Sequence, residues 1–314
     1  MKNLKPLVSF AVCALAFFQS GPALAQAAPT ATPTNVPPTR VATPALWVVK
    51  DADTTIYLFG TFHLLPANLN WNQGPVRAAF ESADTLKLEI ANLEAETPAI
   101  QAITVQKGML PAGQSLSDGL TPIQTARLNR IIGETGIPPE AIANMRPWFA
   151  SVVLAVTMVQ KMGLDPGKGV DKTLDGLARA RGIPVEGFES GVDQIGFLAS
   201  ISPQLQREML MSTLDEWDNS KQMIDPMVTA WARGDAARVG RMISGSLRSQ
   251  PELSRVLLTD RNARWADWIA ARMATPGTVF VAVGAGHLAG PDSVQTLLRA
   301  KGIRSQRVNN PRPR

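Results

Sequence analysis

The chain has 314 residues, of which 45% are hydrophobic and 18% charged, with 24 Gly, 24 Pro and a mean hydropathy of +0.01. That is enough chain for one large domain or two small ones, and the balance excludes a disordered chain, a coiled coil and a disulfide-dense mini-protein. The formal net charge is +5, and with one Cys and two His in the sequence, any reaction that needs those side chains must use Cys13, His63 or His287.

Lys2 and Lys5 stand before an apolar run from Leu7 to Phe18, followed by Ala23-Leu24-Ala25, the small-x-small pattern of a signal peptidase site. Residues 1–25 therefore read as an export signal that is removed, leaving a mature chain that begins at Gln26 and is periplasmic or secreted. The run is broken at Gln19, Ser20, Gly21 and Pro22 and is short for a bilayer span, so the mature chain is expected to have no transmembrane segment. Phe10-Ala11-Val12 ahead of Cys13 does not make a lipoprotein box, so the mature chain is cysteine-free, which rules out thiol catalysis and thiolate ligands. Losing Lys2 and Lys5 leaves 29 basic against 26 acidic side chains, a net +3 that gives nucleic-acid binding little support. Residues 26–44, rich in Ala, Pro and Thr, read as an extended linker, with one domain expected over 45–308 and a tail at 309–314.

From Leu46 to Val49 and from Thr55 to Phe59, β-branched and aromatic residues flank Asp51-Ala52-Asp53 in a hairpin pattern, and the second strand runs into Gly60-Thr61-Phe62-His63. Gln73-Gly74-Pro75 opens a helix that ends near Ser82. Thr85 to Ile90 alternates, with Leu86, Leu88 and Ile90 on one face and Lys87 and Glu89 on the other, so Glu89 falls at a strand's C-terminal end. Residues from about 97 to 165 look helical. Within them Trp148 to Val159 is apolar nearly all round yet too short for a membrane span, which makes it a buried core helix opened by Pro147. Asp171 reads as the cap of a helix through Arg181, stopped by Gly182, and Ile183 to Phe188 as a strand ending at Glu189. A second helical stretch covers 203–273. Its last helix begins at Pro251 and places Arg261 in the middle of the Leu257/Trp265/Trp268 stripe. An inward arginine needs an acidic partner or an anionic ligand; the other reading has it snorkel over the tryptophans to solvent. Thr278 to Val283 reads as a strand, Gly284-Ala285-Gly286-His287 as a turn, Asp292 to Ala300 as a helix and Ile303 to Val308 as a closing strand, so the class is α/β.

Both histidines thus occupy one local pattern, Gly-x-x-His directly after a hydrophobic strand, which suggests duplicated halves. Residues just beyond strand C-termini line the ligand crevice of an α/β sheet, and His63, Glu89, Glu189 and His287 all qualify. Two imidazoles and a carboxylate make a first-row divalent metal set with positions left for water. The plainer reading of a loop histidine is a capping or surface residue. Gly284 to Gly290 spaces its third glycine wrongly for a dinucleotide loop, and the sequence has no Gly-x-Ser-x-Gly elbow, His-Glu-x-x-His helix or Walker loop.

Six separated segments then resemble, in order, the signature segments of the TraB/GumN proteins, which include the animal Tiki proteases: LWVVKDADTTIYLFGTFHLLP, ADTLKLEI, MRPW, GLDPGKGVDKTL running into GIPVEGFES and Gln194, RNARW, and VGAGHLAGP. The resemblance covers about Leu46 to Val308 and implies a fold shared with erythromycin-esterase-like and ChaN-like proteins: two related α/β halves around a central sheet, with helical insertions between them. It also implies a metal site of His63, Glu89 and His287, with Arg146, Asp171, Glu189, Arg261 and Asn262 at further matching positions. The function expected is an exported metal-dependent hydrolase, a peptidase acting on a peptide or protein through a divalent transition metal. Glu189 is then the general base, and Arg261 with Arg146 binds a substrate carboxylate or the developing oxyanion. The competing reading is a non-enzymatic protein that binds haem or a peptide signal in the same crevice.

Overall fold

In the computed structural model, which describes residues 39–247 and 250–309, the alternating segments assemble into one six-stranded sheet. The stretch read as an export signal, with Cys13, the first part of the expected linker and the last five residues of the chain lie outside the described residues. The strands are β1 (Leu46–Lys50), β2 (Thr54–Thr61), β3 (Thr85–Ile90), β4 (Val185–Glu189), β5 (Gly277–Gly284) and β6 (Gln306–Arg307), in the spatial order β6-β1-β2-β5-β3-β4. β2, β5, β3 and β4 run parallel, while β1 and β6 are antiparallel at one edge. The β1–β2 hairpin closes as its sequence predicts, with the Asp51 carboxylate accepting from the backbone N–H of Thr54 at 2.8 Å.

The expected alternation decides what each face meets. Tyr57, Phe59, Phe280, Ala282, Leu86 and Leu88 pack on one side, against α1 (Gly74–Glu81) and the helical insertions. Ile56, Leu58, Val279, Val281 and Val283 pack on the other, against Trp265, Ala266 and Ile269. Lys87 and Glu89 point to this second side and are buried nonetheless, because β3 is an interior strand covered on both faces. Lys87 lies over the rings of Phe188 and Trp268 with Glu186 at its ammonium, and so keeps its charge partnered.

The helical stretches are segmented. The first consists of α2 (Leu93–Gly108), α3 (Pro122–Thr135), α4 (Pro139–Ala143) and α5 (Pro147–Lys161). It starts earlier than 97, behind Asn92 in a left-handed conformation (φ 54°), and is interrupted by the Pro111 to Leu120 loop. Within α5, Trp148, Ala150 and Leu154 are fully buried, as expected of a core helix. Then follow α6 (Val170–Arg181), α7 (Gly191–Ser200), α8 (Pro203–Trp217), α9 (Ser220–Ala232), α10 (Ala236–Leu247), α11 (Pro251–Ser254), α12 (Asp260–Arg272) and α13 (Val294–Ala300). A five-residue π-helical turn, Arg255–Thr259, joins α11 to α12. Arg261 and Asn262, which follow it at the start of α12, are both buried.

Three sequence expectations are corrected. Residues 39–44 are not all linker: Arg40–Val41 pairs in parallel with Leu69–Asn70, and Ala42 is buried in the core. The closing strand shrinks from Ile303–Val308 to Gln306–Arg307, because Ile303 is held back by the helix end, its N–H bonded to the Leu298 carbonyl. Asp171 is not a helix cap; α6 starts at Val170 behind Gly169, and the Asp171 carboxylate is used elsewhere.

Candidate active site

The paired strands bring the two Gly-x-x-His motifs side by side. β2 and β5 are parallel neighbours in a register that places Gly60 opposite Val283 and Thr61 opposite Gly284, so both histidines emerge from adjacent strand ends. His63 follows in a turn, and His287 sits in the short 3-10 helix Ala285–Leu288; they are 4% and 2% exposed. The close approach depends on glycine. A Cβ on Gly60 would reach 3.0 Å from Ala285 Cα, and one on Gly169 would strike the backbone carbonyl of His63.

The two rings are held by different partners. His63 Nδ1 is 2.6 Å from Asp171 Oδ2, and Thr61 donates its hydroxyl to Asp171 Oδ1 at 2.8 Å. Burial opposes a charged His63 ring, but the charge and hydrogen bond of Asp171, with the charge of Glu89, outweigh it and raise the pKa above the ordinary 6.5. His287 Nδ1 lies 2.6 Å from Asn262 Oδ1, whose amide nitrogen donates to the Asp292 carbonyl at 2.7 Å. That fixes the amide so that its oxygen faces His287, which puts the ring proton on Nδ1 and leaves Nε2 to accept from Arg261 Nη1 at 3.2 Å. Burial, and then the Arg261 charge, push the His287 pKa down to about 3. At neutral pH its 3.7 Å approach to Glu89 is therefore not an ion pair.

Arg261, which the helical period placed among tryptophans, finds acidic partners and does not snorkel. It is 2% exposed; Nη2 reaches Glu89 Oε2 at 2.5 Å and Glu189 Oε2 at 2.8 Å, Nε bonds both Glu189 oxygens at 3.0 and 2.9 Å, and Nη1 also donates to the Leu257 carbonyl. Burial would raise the Glu89 pKa, but Arg261, the histidines and the Gly284 N–H, which donates to Oε1 at 2.7 Å, hold it down at about 2. Glu189 also receives Arg264, at 3.1 Å, and Gln194, at 3.3 Å. With two guanidiniums on it, this carboxylate is fitted to hold Arg261 in place. Arg146 is the residue before α5, its backbone N–H donating to the Gly108 carbonyl, and its side chain has no ion pair among the described residues.

Gln194, which the sequence placed in a family segment without a role, donates its amide to Glu89 at 3.1 Å and to Glu189 at 3.3 Å, bridging the two carboxylates. Its helix, α7, begins with a capping box of Ser190 and Asp193, and that Ser-x-x-Asp spelling was a readable start signal. Thr61, which locks Asp171, had no signal of its own.

His63, Glu89, Asp171 and Gln194 line a pocket of about 350 Å³, together with residues of α2 and α6 such as Asn92 and Asp175. His63 Nε2 is buried there with no hydrogen-bond partner among the described residues. A neutral ring with its proton directed to a carboxylate at Nδ1 and a lone pair left at Nε2 is how metal-binding histidines are oriented. His63 and Glu89 therefore fit a divalent cation, whereas the Nε2 of His287 is occupied by Arg261. Among the described residues, no three His, Cys, Asp or Glu side chains stand together as a metal-holding group.

No helix of the described residues is long and apolar enough to cross a membrane. No solved structure matches the chain. The chain is similar to the uncharacterized protein YbaP of Escherichia coli K12, 26% identical over 256 residues that cover 82% of this chain and 92% of YbaP. An uncharacterized protein of Treponema pallidum is 21% identical over 272 residues, covering 82% of this chain and 80% of that one. Residues 45–307 match the TraB/PrgY/gumN family, spanning the whole central sheet and both Gly-x-x-His motifs, and the chain belongs to that family.

Proposed function

We propose that the protein is a metal-dependent hydrolase that cleaves peptide bonds in the pocket beside the ends of β2 and β3. The observation that carries this reading is His63 Nε2: buried, unpartnered, backed by Asp171 and on the same pocket wall as Glu89. His63 and Glu89 would hold the divalent ion, and the resemblance adds His287, whose Nε2 accepts from Arg261 in this structure. Bound there, the ion would supply a water acidified to near-neutral pKa and a Lewis acid for the scissile carbonyl.

The chain's own groups do the rest. Asp171 keeps the His63 proton on Nδ1, and Thr61 keeps Asp171 from turning away. Arg261 keeps Glu89 ionised, so this carboxylate would be available to the ion at neutral pH. Asn262 sets the tautomer of His287. Among the described residues the Glu189 carboxylate meets Arg261, Arg264 and Gln194, which supports a positioning role for it in place of the general-base role. The choice of a peptide substrate rests on the resemblance to the Tiki proteases.

The test is metal analysis of purified protein followed by cleavage of a peptide library with and without chelator. About one divalent ion per chain, lost in His63→Ala, and cleavage abolished by chelation are expected. Full metal occupancy in His63→Ala, or cleavage indifferent to chelator, refutes the assignment. Export belongs to the same reading, and N-terminal sequencing of the exported protein is expected to begin at Gln26.

A further inference from the structure

The charge of the chain is unevenly placed. After Asp292 no acidic residue occurs, while the last 22 residues carry Arg299, Lys301, Arg304, Arg307, Arg312 and Arg314. Those six charges exceed the +3 of the mature chain, so the remainder of the mature protein is net negative and its positive pole is this end. Folding concentrates the segment further. α13 ends at Ala300, a turn through Gly302 reverses the chain, and β6 returns along β1, so Arg299 and Arg304 flank one open hollow with Gly302 and Ser305. An adjoining hollow shares Arg299 and Ser305 and adds Arg307.

Two of these cations are already engaged. Lys301 pairs with Asp267, and Arg307 lies over the Trp47 ring and donates to the Gly234 carbonyl. Arg299 and Arg304 are exposed and have no ion pair among the described residues. Arg312 and Arg314 add to the charge of this end by sequence and lie outside the described residues. Exposed guanidiniums in hollows with serine hydroxyls suit phosphate oxygens, which they bind through forked hydrogen bonds.

We propose that this C-terminal basic face docks the protein on an anionic phospholipid surface. A lipid headgroup layer suits the face better than nucleic acid, because the aromatic at hand, Trp47, is covered by Arg307 and cannot stack on a base. A contact made by exposed arginines with lipid headgroups is peripheral, reversible and salt-sensitive. It is independent of the hydrolytic pocket.

Each arginine near an anionic surface contributes about fivefold in partitioning, ~1 kcal/mol. Sedimentation with phosphatidylglycerol-containing vesicles is therefore expected to retain the protein, and pure phosphatidylcholine vesicles to leave it in solution. The double variant Arg299→Gln/Arg304→Gln is expected to bind the anionic vesicles roughly 25-fold more weakly, and ending the chain at Val308 to weaken binding further. Raising the salt to about 0.5 M is expected to release the wild type, as screening shortens the reach of these charges. Equal partitioning onto both vesicle types, or anionic binding unchanged in the double variant, overturns the proposal. So does arginine-dependent retention on duplex DNA without retention on vesicles.

Discussion

Replacing Arg261 with Met is the sharpest test of the site's architecture, because one buried guanidinium carries contacts to four groups: Glu89, Glu189, His287 and the Leu257 carbonyl. Methionine fills similar volume but leaves two carboxylates, each about 5% exposed, without their shared cation. Breaking a buried pair in this way costs about 3–5 kcal/mol. For a domain of roughly this size each kcal/mol moves the melting temperature by about 2–4 °C, so a drop of roughly 6–20 °C is expected. The loss should fall unequally on the two acids. Glu189 keeps Arg264, whereas Glu89 keeps only the Gly284 N–H and the Gln194 amide. Adding Glu89→Gln to Arg261→Met should therefore restore roughly 1–3 kcal/mol, and adding Glu189→Gln less. Calorimetry of the two single carboxylate variants, Arg261→Met and both doubles gives these numbers. A melting temperature within about 2 °C of wild type in Arg261→Met, or strictly additive doubles, would refute the shared-cation reading.

Two further outcomes rest on the same geometry. His287 binds a proton at about 3 when folded against its ordinary 6.5, and Glu89 at about 2 against 4.5. The unfolded chain therefore takes up protons that the folded one refuses, and stability present above pH 6.5 is lost as pH falls toward 3. His63, with its raised value, has the opposite sign, its contribution being full below 6.5 and lost as pH rises through its folded value. Melting curves of chelator-treated protein between about pH 7 and 4 should show the decline, and His287→Gln should flatten it by an amount on the order of 4 kcal/mol across the window; an unchanged slope in that variant contradicts a neutral buried ring. Gly169→Ala should cost about 1–3 kcal/mol and impair metal binding, since its Cβ meets the His63 carbonyl. Gly176→Ala, on the same helix with open space around it, should be neutral or slightly stabilising, and equal effects of the two would discount the steric argument.

What could be read from the sequence is what strand periodicity and chain-end chemistry encode locally. β3 runs over Thr85–Ile90 as its alternation predicts, and β4 and β5 come within two residues of expectation; in β5 the buried, unbroken apolar run from Val279 to Val283 is the signal. The buried setting of Arg261 was readable for the same reason, from a helical stripe that leaves it no room at the surface. Which acids would meet it was not readable. Asp171, Glu89 and Glu189 were equal candidates along the chain, and only the sheet order, with β3 and β4 adjacent, delivers the two glutamates to α12 and leaves Asp171 to His63. The π-helical turn ahead of Arg261 and Asn262 left no mark in the residue pattern, since a one-residue phase shift looks like ordinary helical sequence.

The two Gly-x-x-His turns are spelled alike and end on neighbouring strands, yet their rings carry opposite electrical character. The difference is imposed from outside the motif. A carboxylate on α6, packed with one face of the sheet, backs the first ring, and a carboxamide on α12, packed with the other face, backs the second. A carboxylate against the first ring, and burial with the Arg261 cation beside the second, thus separate a ring inclined to hold a proton from one that refuses it. One short spelling can therefore serve two imidazoles that diverge in chemistry through the helices that support them. The sheet then works as a partition that lets each flank tune its own histidine.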